Sequence, residues 1–358
     1  MERILMKGNE AFAEAAMRGG AGFYFGYPIT PQNEIPEYMS HELEKIGGQF
    51  IQAESELAAV NMAYGAAASG GRVFISSSSP GLALMQEGVS FMCSAEVPVV
   101  MLNVSRGGPG VGGIQPGQAD YYQATRGGGN GDYHVPVYAP STIQEAIDMI
   151  YNAYEVADKF CNPVMILADG MMGQMMEPVT LPEAKGVQTY EQIRAAKPWA
   201  ITGKGDREER NVIKSLRLQP DVLEAHVLKL FKKYDQMEKE LVQWQTWGDM
   251  DEAEIVFVAF GTMSRLVAES IEMLAQDGIK AAMVRPITLW PFPYEAFSNL
   301  SGKTKIVISA ELSMGQMLTD VKMGVQGKVP TGLINRVGGI VPTSVEIVER
   351  AKKLLEQL

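Results

Sequence analysis

Short runs rich in β-branched and aromatic residues alternate with segments of helical period along the first half of the chain. The runs that we expect to form strands are Gly22–Gly26, Arg72–Ser76, Pro98–Val104 and Pro163–Ala168. Strands separated by helical segments are typical of a parallel sheet with crossover helices on its faces. The pattern therefore predicts an α/β domain with a parallel sheet over residues 1–182.

The pattern changes after residue 182. Residues Glu183–Arg210 are polar and irregular, whereas Val212–Gln245 carries apolar residues at roughly helical spacing. We interpret residues 183–250 as a connector whose long helix lies across a domain or subunit boundary.

A second alternation of strands and helices begins at Glu254. The expected strands are Ile255–Phe260, Ala281–Val284, Lys305–Ala310 and Leu333–Arg336, and the expected helices begin near Met263, Pro293, Gln316 and Thr343. These elements predict a second, smaller α/β domain over residues 251–358.

The composition is that of an acidic globular protein. The 358 residues are 46% hydrophobic, which is enough to form the cores of two domains. A formal net charge of -11 repels phosphate groups and argues against binding to nucleic acid or to anionic membranes. No apolar run approaches the roughly 20 residues of a membrane-spanning helix. We expect a cytoplasmic protein.

The sequence offers few metal ligands. Cys93 and Cys161 are the two cysteines of the chain, and two thiols cannot form a four-thiolate iron–sulfur cluster or a disulfide framework. The three histidines are scattered and lack the spacing of metal ligands. We therefore predict no metal site in this chain.

Two segments about 25 residues apart carry the first candidate chemistry. Tyr27–Pro31 is a turn with hydroxyl groups, and Glu54-Ser55-Glu56 opens an alanine-rich helix. We expect both glutamates in the first turn, where the helix dipole favours acidic side chains. A buried glutamate at that position can share a proton with a ligand nitrogen. The two segments can therefore frame a cofactor, although a turn and a solvated helix end would have a similar sequence.

A run of four serines, Ser76–Ser79, precedes Pro80 between a predicted strand and a predicted helix. We expect Ser79 to cap the helix and Pro80 to occupy its first position. The remaining hydroxyls, Ser78 among them, are expected to line the crevice at the strand ends, where ligands of open α/β sheets bind.

Arg106 ends a predicted strand and opens a long glycine-rich connection that extends to Gly131. Loops of that length inside a compact domain are usually functional or disordered. A guanidinium group at this position can hold a carboxylate through two parallel hydrogen bonds, or it can be an ordinary surface arginine.

Two patterns that suggest phosphate binding are weak. Gly108, Gly110 and Gly113 form a G-x-G-x-x-G pattern, but the residues that follow are poor helix formers, which disfavours a nicotinamide site. Ser301–Thr304 resembles the end of a phosphate loop, but Phe297 stands where the first glycine is required. We interpret this second segment as an ordinary turn.

Several motifs occur in the order typical of one family. They are Tyr27–Pro31, Gln52–Glu56 with the helix end Gly65–Gly71, Ser76–Gly81, Arg106–Gly110, Asn162–Asp169, Phe260–Thr262, Val284–Ile287 and Glu311–Gln316. Over essentially its whole length the chain resembles the pyrimidine-binding (alpha-type) subunit of the 2-oxoacid:ferredoxin oxidoreductases. The resemblance implies a thiamine-diphosphate-binding domain of the pyrimidine type, followed by a smaller transketolase C-terminal-like α/β domain.

The resemblance also points to a subfamily. Tyr27–Glu37 and Gly112–Pro116 are most similar to the subunit that acts on 2-oxoisovalerate (3-methyl-2-oxobutanoate), whereas 2-oxoglutarate enzymes typically have Ser-Thr-Gly where this chain has Gly110-Val111-Gly112. The implied reaction is oxidative decarboxylation of a branched-chain 2-oxo acid to acyl-CoA and CO₂, with electrons passed to ferredoxin. The same mechanism on 2-oxoglutarate or pyruvate is the alternative.

The family likeness implies roles for individual residues. Glu56 is similar to the glutamate that hydrogen-bonds N1′ of the cofactor's aminopyrimidine, Thr30 to the threonine that faces substrate and cofactor, and Arg106 to the arginine that binds the substrate carboxylate. Further cofactor contacts are expected from Tyr27, Pro28, Ile29 and Ser78.

In such a family member, thiamine diphosphate is shared with a partner subunit, and Mg²⁺ and iron–sulfur clusters lie on partner subunits. The implied partners are a diphosphate-domain (beta-type) subunit, a gamma-type subunit, a ferredoxin-like subunit and ferredoxin, with the 2-oxo acid and coenzyme A as substrates. Three other classes remain open: a nicotinamide-linked dehydrogenase, a non-catalytic structural subunit, and a transketolase-type enzyme, which would need its diphosphate domain in the same chain.

Overall fold

The structure, a computed structural model that describes residues 3–358, places its strands in three sheets. The strands are β1 (Ile4–Lys7), β2 (Phe23–Gly26), β3 (Gln49–Gln52), β4 (Val73–Ser77), β5 (Val100–Ser105), β6 (Val137–Tyr138), β7 (Val164–Asp169), β8 (Met176–Val179), β9 (Trp244–Trp247), β10 (Ile255–Val258), β11 (Ala281–Pro286), β12 (Thr288–Trp290), β13 (Ile306–Glu311) and β14 (Thr331–Asn335). A seven-stranded sheet has the order β12-β6-β7-β5-β4-β2-β3, a five-stranded sheet has the order β14-β13-β10-β11-β9, and β1 pairs with β8. The pairs from β6 to β3 are parallel, which confirms the predicted fold class.

Helices cover both faces of the seven-stranded sheet and flank the five-stranded one. They are α1 (Gly8–Arg18), α2 (Glu34–Glu42), α3 (Glu56–Ala68), α4 (Ser79–Ala95), α5 (Tyr121–Arg126), α6 (Ile143–Phe160), α7 (Gly170–Gln174), α8 (Tyr190–Ala196), α9 (Pro220–Leu241), α10 (Gly261–Gln276), α11 (Gln316–Val325) and α12 (Ser344–Glu356). Within residues 3–358, none of these helices has the length and apolar character needed to cross a lipid bilayer.

The alternation of side chains along β4 divides the core of the large sheet in two. Phe74 packs in the cluster formed with α1 and α6, whereas Val73 and Ile75 pack in the cluster formed with α3 and α4. Successive residues of a strand point to opposite faces, so a strand buried on both faces is apolar throughout. This burial explains why β4 begins with an apolar run, Val73–Ile75, before the serines at its end.

Three predicted segments differ from the structure. The polar stretch 183–210 contains the short helix α8, which a capping box between Thr189 and Gln192 stabilises. The long helix α9 begins only at Pro220, and the residues after it form the edge strand β9. The helix predicted near Pro293 is a single 3-10 turn over Tyr294–Phe297. The domain boundaries at residues 182 and 250 remain predictions.

The two larger sheets are connected by strand pairing and by an ion pair. Strand β12 follows β11 in the chain, yet it pairs antiparallel with β6, and Thr288 lies opposite Tyr138. Arg285 of β11 donates hydrogen bonds of 2.7 and 2.9 Å to the two carboxylate oxygens of Glu145 on α6. Burial alone raises the pKa of Glu145, but the Arg285 guanidinium and hydrogen bonds from Ser141 together more than offset this effect and hold the pKa below its usual value.

Asp320 of α11 is a second link between the two sheets. Its carboxylate is fully buried and accepts hydrogen bonds of 2.6 Å from the hydroxyls of Tyr121 and Tyr294, and of 2.9 and 3.0 Å from Arg126 Nη2. Tyr121 and Arg126 lie on α5, a short helix within the glycine-rich connection. Asp320 therefore fixes one end of that connection against the five-stranded sheet.

We expect Asp320→Ala to destabilise the protein by about 3 kcal/mol, because the change leaves the buried Tyr121 hydroxyl, the Tyr294 hydroxyl and the Arg126 guanidinium without their acceptor. The free energy of unfolding in urea measures this effect. The matched control is Asp277→Ala, which removes a half-exposed partner of Lys352 and should cost less than about 1 kcal/mol. Equal losses in the two variants would contradict a structural role for Asp320.

Candidate functional site

The carboxyl ends of β2, β4 and β5 meet at one edge of the seven-stranded sheet, because neighbouring parallel strands point in the same direction. Ser76 near the end of β4 donates a 2.6 Å hydrogen bond to Gln32 Oε1 and therefore accepts one of 2.9 Å from the Tyr24 hydroxyl. These contacts attach the turn after β2 to the serine run after β4. The predicted residues of this turn, Thr30 included, are thereby placed beside the strand ends.

Glu56 is the first residue of α3 and is buried, with 5% of its surface exposed. The helix is capped by Ser55, whose hydroxyl accepts a 3.1 Å hydrogen bond from the Ala58 amide. Glu54 lies before the cap and is exposed, so the prediction that both glutamates occupy the first turn was wrong for Glu54. Ser55 caps the helix in the orientation that turns Glu56 inward and leaves Glu54 in solvent.

The Glu56 carboxylate lies directly over the start of α4. A Cβ atom added at Gly81 would lie 2.5 Å from Glu56 Oε1 and 2.1 Å from Ser77 Oγ. A side chain at position 81 would therefore displace either the glutamate or the serine. Glycine at this position allows α3 and α4 to approach with both polar groups between them.

Ser79 does not cap α4, contrary to the sequence-based prediction. The residue before the helix is Ser78, and Pro80 lies in the first turn. The Ser79 hydroxyl instead accepts a 2.9 Å hydrogen bond from the Arg106 amide and donates one of 2.6 Å to Asp120 Oδ2. These partners lie 27 and 41 residues away along the chain. Ser79 therefore joins the strand end of β5 to the segment before α5.

The Arg106 side chain is buried, with 6% of its surface exposed, and is held by main-chain carbonyls. Nη1 donates a 2.6 Å hydrogen bond to the carbonyl of Thr30, and Nη2 donates one of 2.7 Å to the carbonyl of Val111. Nε is buried and has no partner among the described residues. No carboxylate within residues 3–358 neutralises this cation. Arg106 is thus a buried positive charge and not the surface arginine that the sequence left possible.

Other buried polar atoms around Arg106 also lack partners in the described part of the chain. They are Ser77 Oγ, Ser78 Oγ, Asn103 Oδ1 and Ser105 Oγ. Burying a polar atom without a hydrogen bond costs roughly 1–3 kcal/mol, so a cluster of such atoms indicates a place where a polar ligand binds. Together with Glu56 they fit the aminopyrimidine half of thiamine diphosphate, which offers ring nitrogens and an amino group.

The remaining predicted cofactor contacts are more open. Tyr27 is 40% exposed and Pro28 is exposed, while Ile29 and Thr30 are half-buried. The Thr30 hydroxyl accepts a 3.2 Å hydrogen bond from Asn33 Nδ2. These residues form one exposed wall of the crevice.

Two residues of the site were not predicted. Asp120 accepts hydrogen bonds from Ser79 and, at 2.8 Å, from Asn103 Nδ2, so it orients two polar residues at the strand ends. Asp120 immediately precedes α5 inside the glycine-rich connection, and Asn103 is a polar residue between apolar residues of strand β5. A polar residue in a buried strand was the signal that could have identified this pair.

The glycine-rich connection covers the strand ends and contacts the five-stranded half. A Cβ atom added at Gly339 would lie 2.4 Å from Gln115 Cβ, and one added at Gly107 would lie 3.1 Å from the Gly339 nitrogen. Glycines at these positions allow the two backbones to approach closely. No helix follows Gly113 directly, which agrees with the weak nicotinamide pattern.

Two cavities lie beside residues that contact or follow Arg106. One, of 540 Å³, lies beside Thr30, Ile114 and α7. The other, of 900 Å³, lies between the start of α4, the glycines 107–110 and residues 312–316 of the second half. In the described residues, His, Cys, Asp and Glu side chains form no group of three or more that could hold a metal ion.

Comparison with known proteins identifies two family models. Residues 14–245 match the model "Pyruvate flavodoxin/ferredoxin oxidoreductase, thiamine diP-bdg", and residues 253–347 match "Pyruvate:ferredoxin oxidoreductase core domain II". The first model alone covers more than half of the chain.

Two curated relatives are similar over nearly their full length. A ketoisovalerate oxidoreductase subunit, VorB, of Methanothermobacter marburgensis is 43% identical over 354 residues, which are 99% of this chain and 98% of the relative. A 2-oxoglutarate synthase subunit, KorA, of Archaeoglobus fulgidus is 35% identical over 326 residues, 90% of this chain and 91% of the relative.

Among solved structures, the chain is similar to the 2-oxoglutarate:ferredoxin oxidoreductase from Magnetococcus marinus, with a TM-score of 0.86 and 26% identity. The match covers 99% of this chain and 65% of the other, so the chain spans about two thirds of that protein's length. The two family models and the extent of identity to the curated relatives place this chain in the 2-oxoacid:ferredoxin oxidoreductase family.

Proposed function

We propose that this chain is the pyrimidine-binding subunit of a thiamine-diphosphate-dependent 2-oxoacid:ferredoxin oxidoreductase that converts a branched-chain 2-oxo acid to acyl-CoA and CO₂. The observation that carries the proposal is the buried guanidinium of Arg106, which has carbonyl partners but no carboxylate partner among residues 3–358. A buried cation without a counter-charge favours the binding of an anionic group. The carboxylate of a 2-oxo acid is such a group.

Glu56 is the residue that would act on the cofactor. Bound thiamine diphosphate supplies the electron sink that decarboxylation of a 2-oxo acid requires. Glu56 would hold a proton at N1′ of the aminopyrimidine, for which its position between α3 and the start of α4 is suited. The hydroxyls of Ser77 and Ser78, which have no partner among the described residues, would form hydrogen bonds with the same ring system. Thr30, whose carbonyl is bound to Arg106, would face both the substrate and the cofactor.

The choice of a branched-chain substrate is supported by the relatives. The ketoisovalerate oxidoreductase subunit is 43% identical to this chain, compared with 35% for the 2-oxoglutarate synthase subunit. 2-Oxoglutarate and pyruvate are the alternative substrates. The same catalytic residues would carry out the same reaction on either acid if the pocket for the substrate side chain suited that acid instead of a branched-chain one. Electrons would leave to ferredoxin through clusters on other subunits.

The site as described covers only the pyrimidine side of the cofactor. We propose that a diphosphate-domain subunit supplies Mg²⁺ and the diphosphate contacts, and that gamma-type and ferredoxin-like subunits complete a cytoplasmic complex with coenzyme A and the iron–sulfur clusters. Within this chain, residues 1–182 would form the pyrimidine-binding domain, 183–250 the connector and 251–358 the transketolase C-terminal-like domain. Most strands of the seven-stranded sheet lie in the first segment and most strands of the five-stranded sheet in the last, although β9 of the connector joins the five-stranded sheet and β12 joins the seven-stranded one.

The function is tested with the complex purified with its native partners. We expect coenzyme-A-dependent reduction of a viologen dye that requires thiamine diphosphate and is fastest on 2-oxoisovalerate, compared with pyruvate and 2-oxoglutarate. A higher kcat/KM for another 2-oxo acid would support the proposed reaction but show that the preferred substrate is that acid and not 2-oxoisovalerate. Absence of turnover on all three acids would contradict the proposed function.

We expect Glu56→Gln to lower kcat by about 10²–10⁴-fold, because the amide cannot exchange a proton with N1′. The rate of dye reduction by the reconstituted complex measures this loss. Glu54→Gln is the matched control, since Glu54 lies two residues away and is exposed. The control should have wild-type activity, and near-normal turnover by Glu56→Gln would refute the role of Glu56.

We expect Arg106→Met to raise KM for the 2-oxo acid by about 10–10²-fold, since charged hydrogen bonds contribute about 1.5–3 kcal/mol. Arg106→Lys should restore part of the affinity because it keeps the charge but loses the two-pronged geometry. Steady-state kinetics over substrate concentration measures both effects. Arg336→Met, which removes an exposed arginine paired with Glu346, is the control. An unchanged KM in Arg106→Met would exclude carboxylate binding by Arg106.

A further inference from the structure

We propose that the 540 Å³ cavity beside Thr30 receives the side chain of the 2-oxo acid, and that Met171 and Met175 determine the length of side chain that it accepts. The inference rests on the proposed function, because it assumes that the substrate carboxylate is bound at Arg106. It adds to that function the residues that select among 2-oxo acids.

The cavity adjoins the carboxylate site through the backbone contacts of Arg106. Thr30 lines the cavity, and its carbonyl accepts the hydrogen bond from Arg106 Nη1. Ile114 also lines the cavity and lies three residues after Val111, whose carbonyl accepts a hydrogen bond from Nη2. A molecule whose carboxylate lies at Arg106 therefore has this cavity next to it, between the two segments that the guanidinium joins.

The apolar part of the wall consists of prolines, an isoleucine and two methionines. Pro31, Ile114 and Pro116 form the rigid side, and Met171 and Met175 of the α7 segment form the other. Methionine has three rotatable bonds and a polarisable sulfur, so it adapts to ligands of different shape. A volume of 540 Å³ lies within the roughly 300–1,000 Å³ of small-molecule sites and exceeds what a single methyl group fills.

The backbone that carries the two methionines is held firmly. Asp169 Oδ1 accepts hydrogen bonds of 3.0 and 3.1 Å from the amides of Met171 and Met172. Gln174 Nε2 donates a 3.0 Å hydrogen bond to the Pro31 carbonyl, which ties α7 to the opposite wall. The size of the cavity is therefore set by the methionine side chains and not by movement of α7.

Glycine at position 170 keeps the base of the cavity narrow. A Cβ atom added there would lie 3.0 Å from Pro31 Cγ and 3.4 Å from the Ile114 carbonyl oxygen. The two walls thus nearly touch below the methionines. A substrate side chain that enters between Thr30 and Ile114 meets Met171 and Met175 as the groups that limit its length.

The test measures kcat/KM of the assembled complex for pyruvate, 2-oxoisovalerate and 4-methyl-2-oxopentanoate. We expect Met171→Trp to lower the ratio of kcat/KM for 4-methyl-2-oxopentanoate to that for pyruvate at least about 10-fold, because each methylene in a tight pocket changes discrimination by about 10–200-fold. Met171→Ala should shift the ratio in the opposite direction. Met175→Trp, expected to act like Met171→Trp, is the second variant if the first does not assemble.

Met176→Trp is the matched control, because Met176 is 57% exposed on β8 and does not line the cavity. Its ratio should equal that of the wild-type complex. If the tryptophan variants at 171 and 175 stay active and keep the wild-type ratio within twofold, the cavity is not the side-chain site, while the proposed function stands. A wild-type complex that oxidises no 2-oxo acid would overturn both.

Discussion

The buried guanidinium of Arg106 is the interaction on which the site depends. It joins the end of β5, the turn after β2 and the glycine-rich connection through two main-chain carbonyls and through its own amide. Carbonyl oxygens accept hydrogen bonds from Nη1 and Nη2, but Nε has no partner among the described residues and the charge has no carboxylate partner there. The fold therefore maintains a positive charge beside a crevice in a protein whose net charge is -11. A small anion that reaches this crevice encounters attraction locally and repulsion over most of the remaining surface.

The glycine-rich connection acquires its shape from the second half of the molecule. Gln118 exchanges hydrogen bonds with the main chain of Leu312 and donates to the carbonyl of Phe260, while Asp320 holds α5. Few residues of the connection itself have regular structure. The connection is ordered by hydrogen bonds to residues of the second half of the chain. The second half therefore contributes to the site, although most of the candidate catalytic residues lie in the first half.

Much of the architecture could be predicted from the sequence, because it depends on local patterns. The buried strands β4, β5 and β7 each begin with at least three consecutive apolar residues, and the helices between them have a hydrophobic period. The errors have non-local or positional causes. Ser79 has the sequence of a helix cap, but its hydroxyl is bound by Arg106 and Asp120, which are distant in the chain. The helix α8 is too polar to give a periodic signal, and its capping box holds it in place.

In the candidate site, too, single residues could be predicted from the sequence, whereas contacts between distant residues could not. The periodicity of α3 did not distinguish Glu54 from Glu56, and only the resemblance to a family selected Glu56. In the structure Glu56 is buried, because Ser55 caps the helix and Glu56 is its first residue. Arg106 and Thr30 were identified from motifs, but their mutual contact was not, since it crosses from one strand end to another. The roles of these residues toward cofactor and substrate remain predictions. Asp120 and Asn103 were missed because neither belongs to a recognisable motif.

The pairing of β12 with β6 has a consequence for the order in which the chain folds during its synthesis. All parallel strands of the large sheet have left the ribosome once Asp169 has emerged, but the edge at β6 stays open until Thr288–Trp290 follow. An open sheet edge offers unpaired backbone groups to other chains. The nascent protein must therefore carry an unprotected edge while the three strands β9, β10 and β11 of the next sheet are made. During this interval a chaperone or a partner chain would protect the largest unpaired edge.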